Sequence, residues 1–362
     1  MKNTLGTSVS VTLFGESHGE AIGAVIDGLA PGIEIDTDFI NAQLDKRKPK
    51  GRISTSRKED DGFSIVSGVF NGRTTGTPIC ILIPNANTKS GDYEKTKNLP
   101  RPGHADYTAQ CKYHGFQDYR GGGHFSGRIT AALVAAGAIA ISALRAKGIT
   151  IGSHIKECAG ICDRGFENIP EDIEYLNNID FAVLNHECFG SMTEAVTKAA
   201  EDGDSVGGIL ETAVYGLPAG VGEPWFDTFE GIMAHALFSV PAIKGVQFGA
   251  GFDFARMRGS QANDSFCMEN DKVCTITNNN GGINGGITNG MPVVFSCAVK
   301  PTPSIYKEQN TVDMNLGENA SLQIQGRHDP AIIHRARVVV DSMTALVVCD
   351  MLAQRFGTDY IG

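Results

Sequence analysis

The arrangement of apolar positions changes character along the chain. Ser8–Phe14 (SVSVTLF) alternates polar and apolar residues, the period of a strand with one covered face. Ala21–Gly28 reads as a second strand. Pro31-Gly32 then turns the chain into a helix from about Asp36 to Lys46, with Asp36 or Thr37 as its cap. Phe63–Phe70 and Pro78–Pro84 read as strands around a turn at Gly72–Gly76, and Asn85–Pro100 as a polar loop. The pattern then switches. Ile129, Leu133, Val134, Ile139, Ile141 and Leu144 are spread around the whole circumference of a helix, alanines fill the gaps, and no charge falls between Arg128 and Arg145. A surface helix keeps one polar face, so this one is expected to be covered on all sides. It is close to the length of a membrane span. However, alanine and glycine dominate it and no second charge-free segment of this kind follows, so it reads as the core helix of a soluble protein. Further on, Ile149–Glu157 reads as a strand, and Glu171–Asn177 and Ser191–Asp202 as helices.

The second part of the chain echoes the first. Gly19-EAIGAVIDGLAPG-Ile33 resembles Gly203-DSVGGILETAVYGLPAG-Val221, and each leads into a helix, Thr37–Asp45 and Thr228–Phe238. Gly68–Pro84 resembles Gly282–Pro301, and the helix begun at Gly123 resembles one begun at Gly326. The order is the same in both halves. Each half supplies hairpin strands plus two helices, and two such halves related by a pseudo-twofold would share one core. The expectation is therefore a single α+β domain over residues 1–362, with halves meeting near residue 190. Its form is a β-α-β sandwich of two largely antiparallel sheets with the core helices layered between them.

Composition narrows the function classes. The net charge of −10 over 362 residues argues against non-specific nucleic-acid binding. The nine cysteines include no C-x-x-C spacing, which speaks against a disulfide framework and a zinc ribbon, and no metal is expected. The segment MKNTLGTSVSVTLFG has no continuous apolar run of the secretory kind, so a reducing cytoplasm is the expected compartment.

Against the acidic background, Lys46–Lys58 (KRKPKGRISTSRK) holds seven basic residues. It is either a solvated loop or a funnel for a multiply anionic small molecule. The acidic remainder favours the funnel, in which Arg47 and Arg52 suit bidentate contact with phosphate or carboxylate. Gly121-Gly-Gly123 precedes a helix whose plausible cap is Ser126, and unpaired N–H groups at such a start suit an anion. His124 and Arg128 flank it. The spacing is neither a P-loop nor a dinucleotide fingerprint, and a plain hinge is the alternative. His18, between glycines at a strand end, is a surface-turn residue or a general acid or base. His104, at the tip of Arg101-Pro-Gly-His-Ala-Asp106, is the second such imidazole. Asp329 before a helix is more commonly an N-cap than a base. Lys300-Pro-Thr-Pro-Ser304 is a phosphate-compatible loop or a rigid proline turn, and Gly281–Gly286 allows close approach of a flat ligand or marks a turn. The echo makes Gly123-His-Phe-Ser126 and Gly326-Arg-His-Asp-Pro330 equivalent, two helix starts able to face one pocket.

Phe14-GESHG, Arg101-PGHADYT, Tyr119-RGGG, Arg258-GSQ, Asn280-GGINGG, Lys300-P and Gly326-RHDP occur in this order over nearly the whole chain and resemble chorismate synthases. The resemblance implies a β-α-β sandwich and a homotetramer. It implies conversion of 5-enolpyruvylshikimate 3-phosphate to chorismate by 1,4-anti elimination of phosphate, in aromatic amino-acid biosynthesis, with reduced FMN required but no net redox change. It implies that His18 protonates the reduced flavin, that His104 protonates the departing phosphate, and that Asp329 assists proton removal. His124, Phe125, Ser126, Pro241, Ala242, Gly285, Lys300, Pro301, Thr302, Pro303, Ser304 and Arg327 fall on flavin-binding positions. Arg47 and Arg52 fall on positions assigned to NADPH or to substrate anions. Many members carry Arg-Ser-Ser where this chain has His124-Phe125-Ser126, which leaves the donors for the FMN phosphate open. With no dinucleotide fingerprint and no added reductase domain, an external flavin reductase is expected to supply reduced FMN, rather than NADPH acting on this chain. The residues alone also admit a flavin-dependent oxidoreductase with an anionic substrate, or a phosphometabolite-binding module without turnover.

Overall fold

The computed structural model describes residues 2–49, 53–54, 61–86, 93–94, 96–324 and 328–362. The first unit comprises β1 (Thr4–Leu5), β2 (Ser10–Gly15), β3 (Ala21–Asp27), α1 (Thr37–Arg47), β4 (Ser64–Ser67), β5 (Val69–Phe70), β6 (Arg73–Thr74), β7 (Ile79–Pro84), α2 (Asp106–Tyr113) and α3 (Thr130–Ala146). The second begins with β8 (Thr150–Cys158), β9 (Ile161–Cys162), α4 (Ile169–Asn177), α5 (His186–Glu201), β10 (Gly208–Tyr215), α6 (Phe229–Leu237), β11 (Ile243–Phe248) and α7 (Gly259–Ala262). It closes with β12 (Phe266–Glu269), β13 (Lys272–Thr275), β14 (Ile283–Asn284), β15 (Ile287–Thr288), β16 (Val293–Val299), β17 (Gln309–Asp313), β18 (Glu318–Leu322) and α8 (Ile333–Phe356).

Two five-stranded antiparallel sheets enclose a helical layer. Their orders are β1-β2-β3-β7-β4 and, taken from the matching end, β9-β8-β10-β16-β11. The echoed segments land on equivalent strands. Gly19–Ile33 and Gly203–Val221 carry β3 and β10, each central in its sheet. The other echoed pair carries β7 and β16, each preceded by a two-stranded ribbon, β5–β6 or β14–β15. The sequence echo is thus a repeat of topology. The second sheet opens with β8, so the division between the units falls near residue 148, whereas the sequence halves are expected to meet near 190. Helices α4 and α5 are additions to the second unit.

Helices α3 and α8 pack along each other at the centre, α3 against β3 and β7, α8 against β8 and β10. Gly137 makes the crossing possible, because a Cβ there would lie 2.3 Å from Ser342 Cβ. Gly137 meets Ser342 and the Ala140 carbonyl meets Cys349 Sγ at 3.8 Å, so contacts advance in the same direction along both helices. Both helix starts therefore lie at one end of the layer. Residues Gly127–Ala146 are long and apolar enough to cross a membrane by length and composition, but 78% of the most apolar window is buried inside the fold. Several polar groups on α8 bond inside the fold. Asp350 accepts from the backbone N–H groups of Thr7, Ser8 and Val9 at 2.7–3.1 Å and ties α8 to the entry of β2.

Two elements differ from the sequence reading. The strand expected over Phe63–Phe70 is broken by an irregularity between Ile65 and Ser67 and by Gly68 (φ +82°), whose absent Cβ would sit 2.6 Å from the Pro78 carbonyl. Helix α5 starts at His186, five residues before Ser191, because the Asn185 side chain accepts from Glu187 N at 3.0 Å and caps it.

Candidate functional site

Strand β2 ends in the turn Glu16–Gly19, which carries His18. Opposite it runs Arg120–Phe125, a tight helical stretch in which Gly121, Gly122 and Gly123 all have positive φ (59°, 86° and 53°). A Cβ on Gly121 would lie 2.2 Å from His18 Cε1, and a Cβ on Gly122 would lie 3.0 Å from His104 Cε1. Two successive residues without side chains therefore seat both imidazoles against one piece of backbone. His18 is not on a surface turn; it is only 8% exposed. Ser17 N donates to Gly123 O at 3.1 Å, and Ser17 Oγ donates to Arg120 O at 3.2 Å. That hydroxyl has one proton to give, so it accepts from His18 Nδ1 at 3.0 Å, which places a proton on Nδ1.

His104 stands in a charge relay of a different kind. Its Nδ1 donates to Asp106 Oδ1 at 2.6 Å, while Arg101 holds the same carboxylate with Nε to Oδ2 and NH2 to Oδ1, both at 2.8 Å. Burial opposes ionisation of Asp106, but hydrogen bonds from Arg101 and His104 outweigh it and hold the carboxyl well below the usual carboxylate range. A carboxylate fixed on Nδ1 leaves Nε2 as the ring atom that exchanges a proton.

The second unit reaches the same place. Lys300 Nζ donates to the carbonyl of Gly103, the residue before His104, and Pro303 Cβ lies 3.3 Å from where a Gly103 Cβ would be. Burial, with the charge of Lys244 added, lowers the Lys300 pKa. Asp329 does not cap α8, whose N-cap is Ile332 without a side-chain bond. It is buried in an ion pair with Arg335. His328, packed on Tyr306 at 5.3 Å, is held below its usual pKa by burial and by the charge of Arg101. The charge of Arg101, at the base of the His104 turn, is thus felt at His328.

The described cations of the basic cluster, Lys46, Arg47 and Lys48, depart from expectation. Lys46 donates to Asn177 O at 2.8 Å, and burial with the nearby Arg337 brings its pKa down to about 8. The Arg47 side chain is 4% exposed and its NH2 lies 2.9 Å from Asp61 Oδ2. Lys48 pairs with Asp45 at 2.7 Å. The first cations of the cluster finish α1 and turn inward or onto that helix, so they form no open funnel. Arg52 lies outside the described residues, as do Gly326 and Arg327. The Asp61 carboxylate also bonds Arg128, which reaches Asn85 Oδ1 at 3.1 Å and Pro84 O at 3.3 Å. Burial opposes ionisation of Asp61, but the two guanidiniums hold its pKa low. Sequence reasoning missed Asp61. Its only signal was an acidic run, Glu59-Asp-Asp61, directly after the cations.

The family model described as chorismate synthase matches residues 9–353. The chorismate synthase of Thermococcus gammatolerans is 48% identical over 355 residues, covering 97% of each chain. That of Dehalococcoides mccartyi is 48% identical over 361 residues, 99% of this chain and 98% of that one. The chain belongs to the chorismate synthase family. A solved structure titled as the crystal structure of chorismate synthase superposes with a TM-score of 0.77 at 29% identity, over 98% of this chain and 94% of that one.

The positions that family resemblance assigns to a flavin are spread over both units. His124 Nδ1 donates to Gly15 O at 2.8 Å, which ties the ring to the end of β2. Phe125 is 38% exposed and edge-on to Tyr113, and Ser126 Oγ accepts from Arg128 N at 3.3 Å. Ala242, after Pro241, has φ +74° and its carbonyl accepts from Lys300 N at 2.9 Å. Gly285 has φ +62° and open space where a Cβ would be. Beyond Pro301, the Thr302 carbonyl accepts from Ser205 Oγ at 2.7 Å, and Thr302 Oγ1 is buried without a hydrogen-bond partner among the described residues. Ser304 is buried close to Asp329, and both line one small cavity.

Proposed function

We propose that this member converts 5-enolpyruvylshikimate 3-phosphate to chorismate by 1,4-anti elimination of phosphate, as a carbon–oxygen lyase of aromatic amino-acid biosynthesis that requires reduced FMN without net redox change. The observation that carries this reading is the glycine run, which seats His18 and His104 on consecutive residues and leaves both rings a fixed proton on Nδ1. Elimination needs a proton for the departing phosphate, and His104 Nε2, backed by Asp106, is suited to give it. His18 holds a second proton in a covered position beside it. A general acid of this kind contributes roughly 10²–10⁴-fold.

The residues present fit a phosphate-bearing planar cofactor. Thr302 offers a buried hydroxyl with no partner among the described residues, Lys300 and Lys244 stand close enough for one to depress the other's pKa, and Gly285 leaves its ligand side open. Lys300, Thr302 and Ser126 would hold the cofactor phosphate, with Ala242 and Gly285 along its body. Reduced FMN, when bound, supplies an electron to the substrate and recovers it. The remaining work belongs to the chain: Arg101 stabilises the growing charge on the leaving phosphate, Arg335 holds Asp329 in place for proton removal, and the sandwich excludes water. Reduced flavin is supplied by an external reductase, and the chain assembles as a homotetramer that covers exposed aromatics such as Trp225 and Phe226, 85% and 92% exposed.

An anaerobic assay with photoreduced FMN, with and without NADPH, tests the reading. One phosphate should appear per chorismate while reductant stays catalytic, and turnover should not require NADPH. Stoichiometric loss of reductant would instead mark an oxidoreductase, and no turnover a binding module.

A further inference from the structure

Asn85 follows β7 and lies within reach of the turn that carries His18. Its side-chain amide donates twice, from Nδ2 to Glu16 O at 2.9 Å and to Gly19 O at 3.0 Å, the two ends of that turn. Its Oδ1 accepts from Arg128 Nε at 3.1 Å. Its own backbone N donates to Glu20 O at 3.0 Å. Both amide hydrogens and one carbonyl lone pair are therefore used. The orientation of the amide follows from chemistry. A flipped group would set its oxygen against two carbonyls and its NH₂ against a guanidinium. Arg128 is in turn held by Asp61, which Arg47 also binds.

We propose that Asn85 is a positioning residue for His18: it closes the Glu16–Gly19 turn and anchors it to the buried Arg128–Asp61–Arg47 ion network. This rests on the role of His18 proposed above. The His18 ring is pressed against Gly121 on one side, so a turn that relaxes on the other side moves the ring off its seat. Displacement of a catalytic group by about 1 Å can cost 10²-fold in rate.

The discriminating variant is Asn85→Asp. It keeps the shape and offers Arg128 a charged partner, so packing and folding survive, but it cannot donate to Glu16 O or Gly19 O. The expected result is a kcat lower by roughly 10–100-fold, with substrate KM within about threefold, unchanged FMN binding and a thermal midpoint lower by a few degrees at most, because an oxygen now faces two carbonyls. Asn85→Gln, which keeps the donors on a longer arm, should recover part of the loss. In the double variant with His18→Ala, Asn85→Asp should cost little beyond His18→Ala alone. A kcat for Asn85→Asp within threefold of the parent overturns the proposal. So does a loss accompanied by loss of the fold, or full additivity in the double variant. Full activity of His18→Ala would instead overturn the reading of His18 on which it stands.

Discussion

Gly121→Ala tests the seating of His18 most directly. Two costs arise. The first is backbone: Gly121 has φ +59° and ψ +16°, and an L-residue there costs about 1–2 kcal/mol. The second is contact. The new Cβ would lie 2.2 Å from His18 Cε1 and 2.4 Å from Nδ1. Restoring a normal separation of about 3.5 Å moves the ring by roughly 1.3 Å. Such a shift breaks the Ser17–His18 bond and predicts a kcat lower by roughly 10²-fold. Two companions separate the terms. At Gly148, φ is +75° with nothing within 4 Å of a new Cβ, so Gly148→Ala carries the backbone cost alone and should lower the thermal midpoint without touching kcat. At Gly122 the nearest approach is 3.0 Å, to His104 Cε1, so that ring need give only a few tenths of an ångström and the loss should be milder. The assay is anaerobic turnover with photoreduced FMN beside thermal melting. If Gly121→Ala turns over within threefold of the parent, the glycine run does not seat a catalytic imidazole.

Other expectations follow from the same geometry. His104→Ala should remove most turnover and leave FMN binding nearly intact by fluorescence titration; unchanged turnover would remove its role. Asp106→Asn keeps the shape but weakens the hold on Nδ1–H, so kcat should fall and its pH profile should shift, whereas an unaltered profile would mean that Asp106 only shapes the turn. Asp61→Asn leaves two buried guanidiniums without their carboxylate and should destabilise by roughly 3–5 kcal/mol, read as a melting point lower by several degrees. His154 gives a pH test away from the site. Both its ring nitrogens lie 3.0 Å from carboxylates, Asp163 and Glu211. Burial opposes the charged ring, but the bonds to Asp163 and Glu211 outweigh it and raise the pKa above the usual 6.5. The raised value makes this stabilisation complete below about pH 6.5, and it is lost as pH rises through the folded value. The difference in melting point between the parent and His154→Gln should therefore narrow from pH 6 towards pH 9; a constant difference would contradict it.

Much of this was legible because it depended on local rules. A helix with no polar face, Ile129–Leu144, has nowhere to lie but inside, and α3 is buried on all sides. The echo was legible because glycine and proline recur where both units need the same turns, and β3 with β10, and β7 with β16, sit at equivalent places. What escaped the sequence depended on partners far along the chain. A run of cations shows charge but not direction, and Arg47 is turned inward by Asp61, fourteen residues on. Asp329 stands where a cap would stand, yet Arg335 takes its carboxylate. Asn85 sat in a stretch read only as polar loop, and nothing local told that its amide would be spent on the turn of His18.

The parallel course of α3 and α8 lets both units contribute to the proposed site. Had the helices run in opposite directions, their starts would lie at opposite ends of the layer, with the glycine run and the Asp329 segment separated by its length. Running together, they place two positive helix ends side by side. Neither first turn contains an acidic residue to offset that potential. Two like dipole ends repel unless an anion stands between them, and the proposed substrate, with a phosphate and two carboxylates, would supply that charge. The units have meanwhile diverged in what they contribute. The first brings the glycines and both imidazoles, and the second brings Lys300, Asp329 and Arg335. A duplicated fold with identical ends would offer only two anion sites; under the proposed roles the divergence lets one end hand over protons while the other holds charge in place.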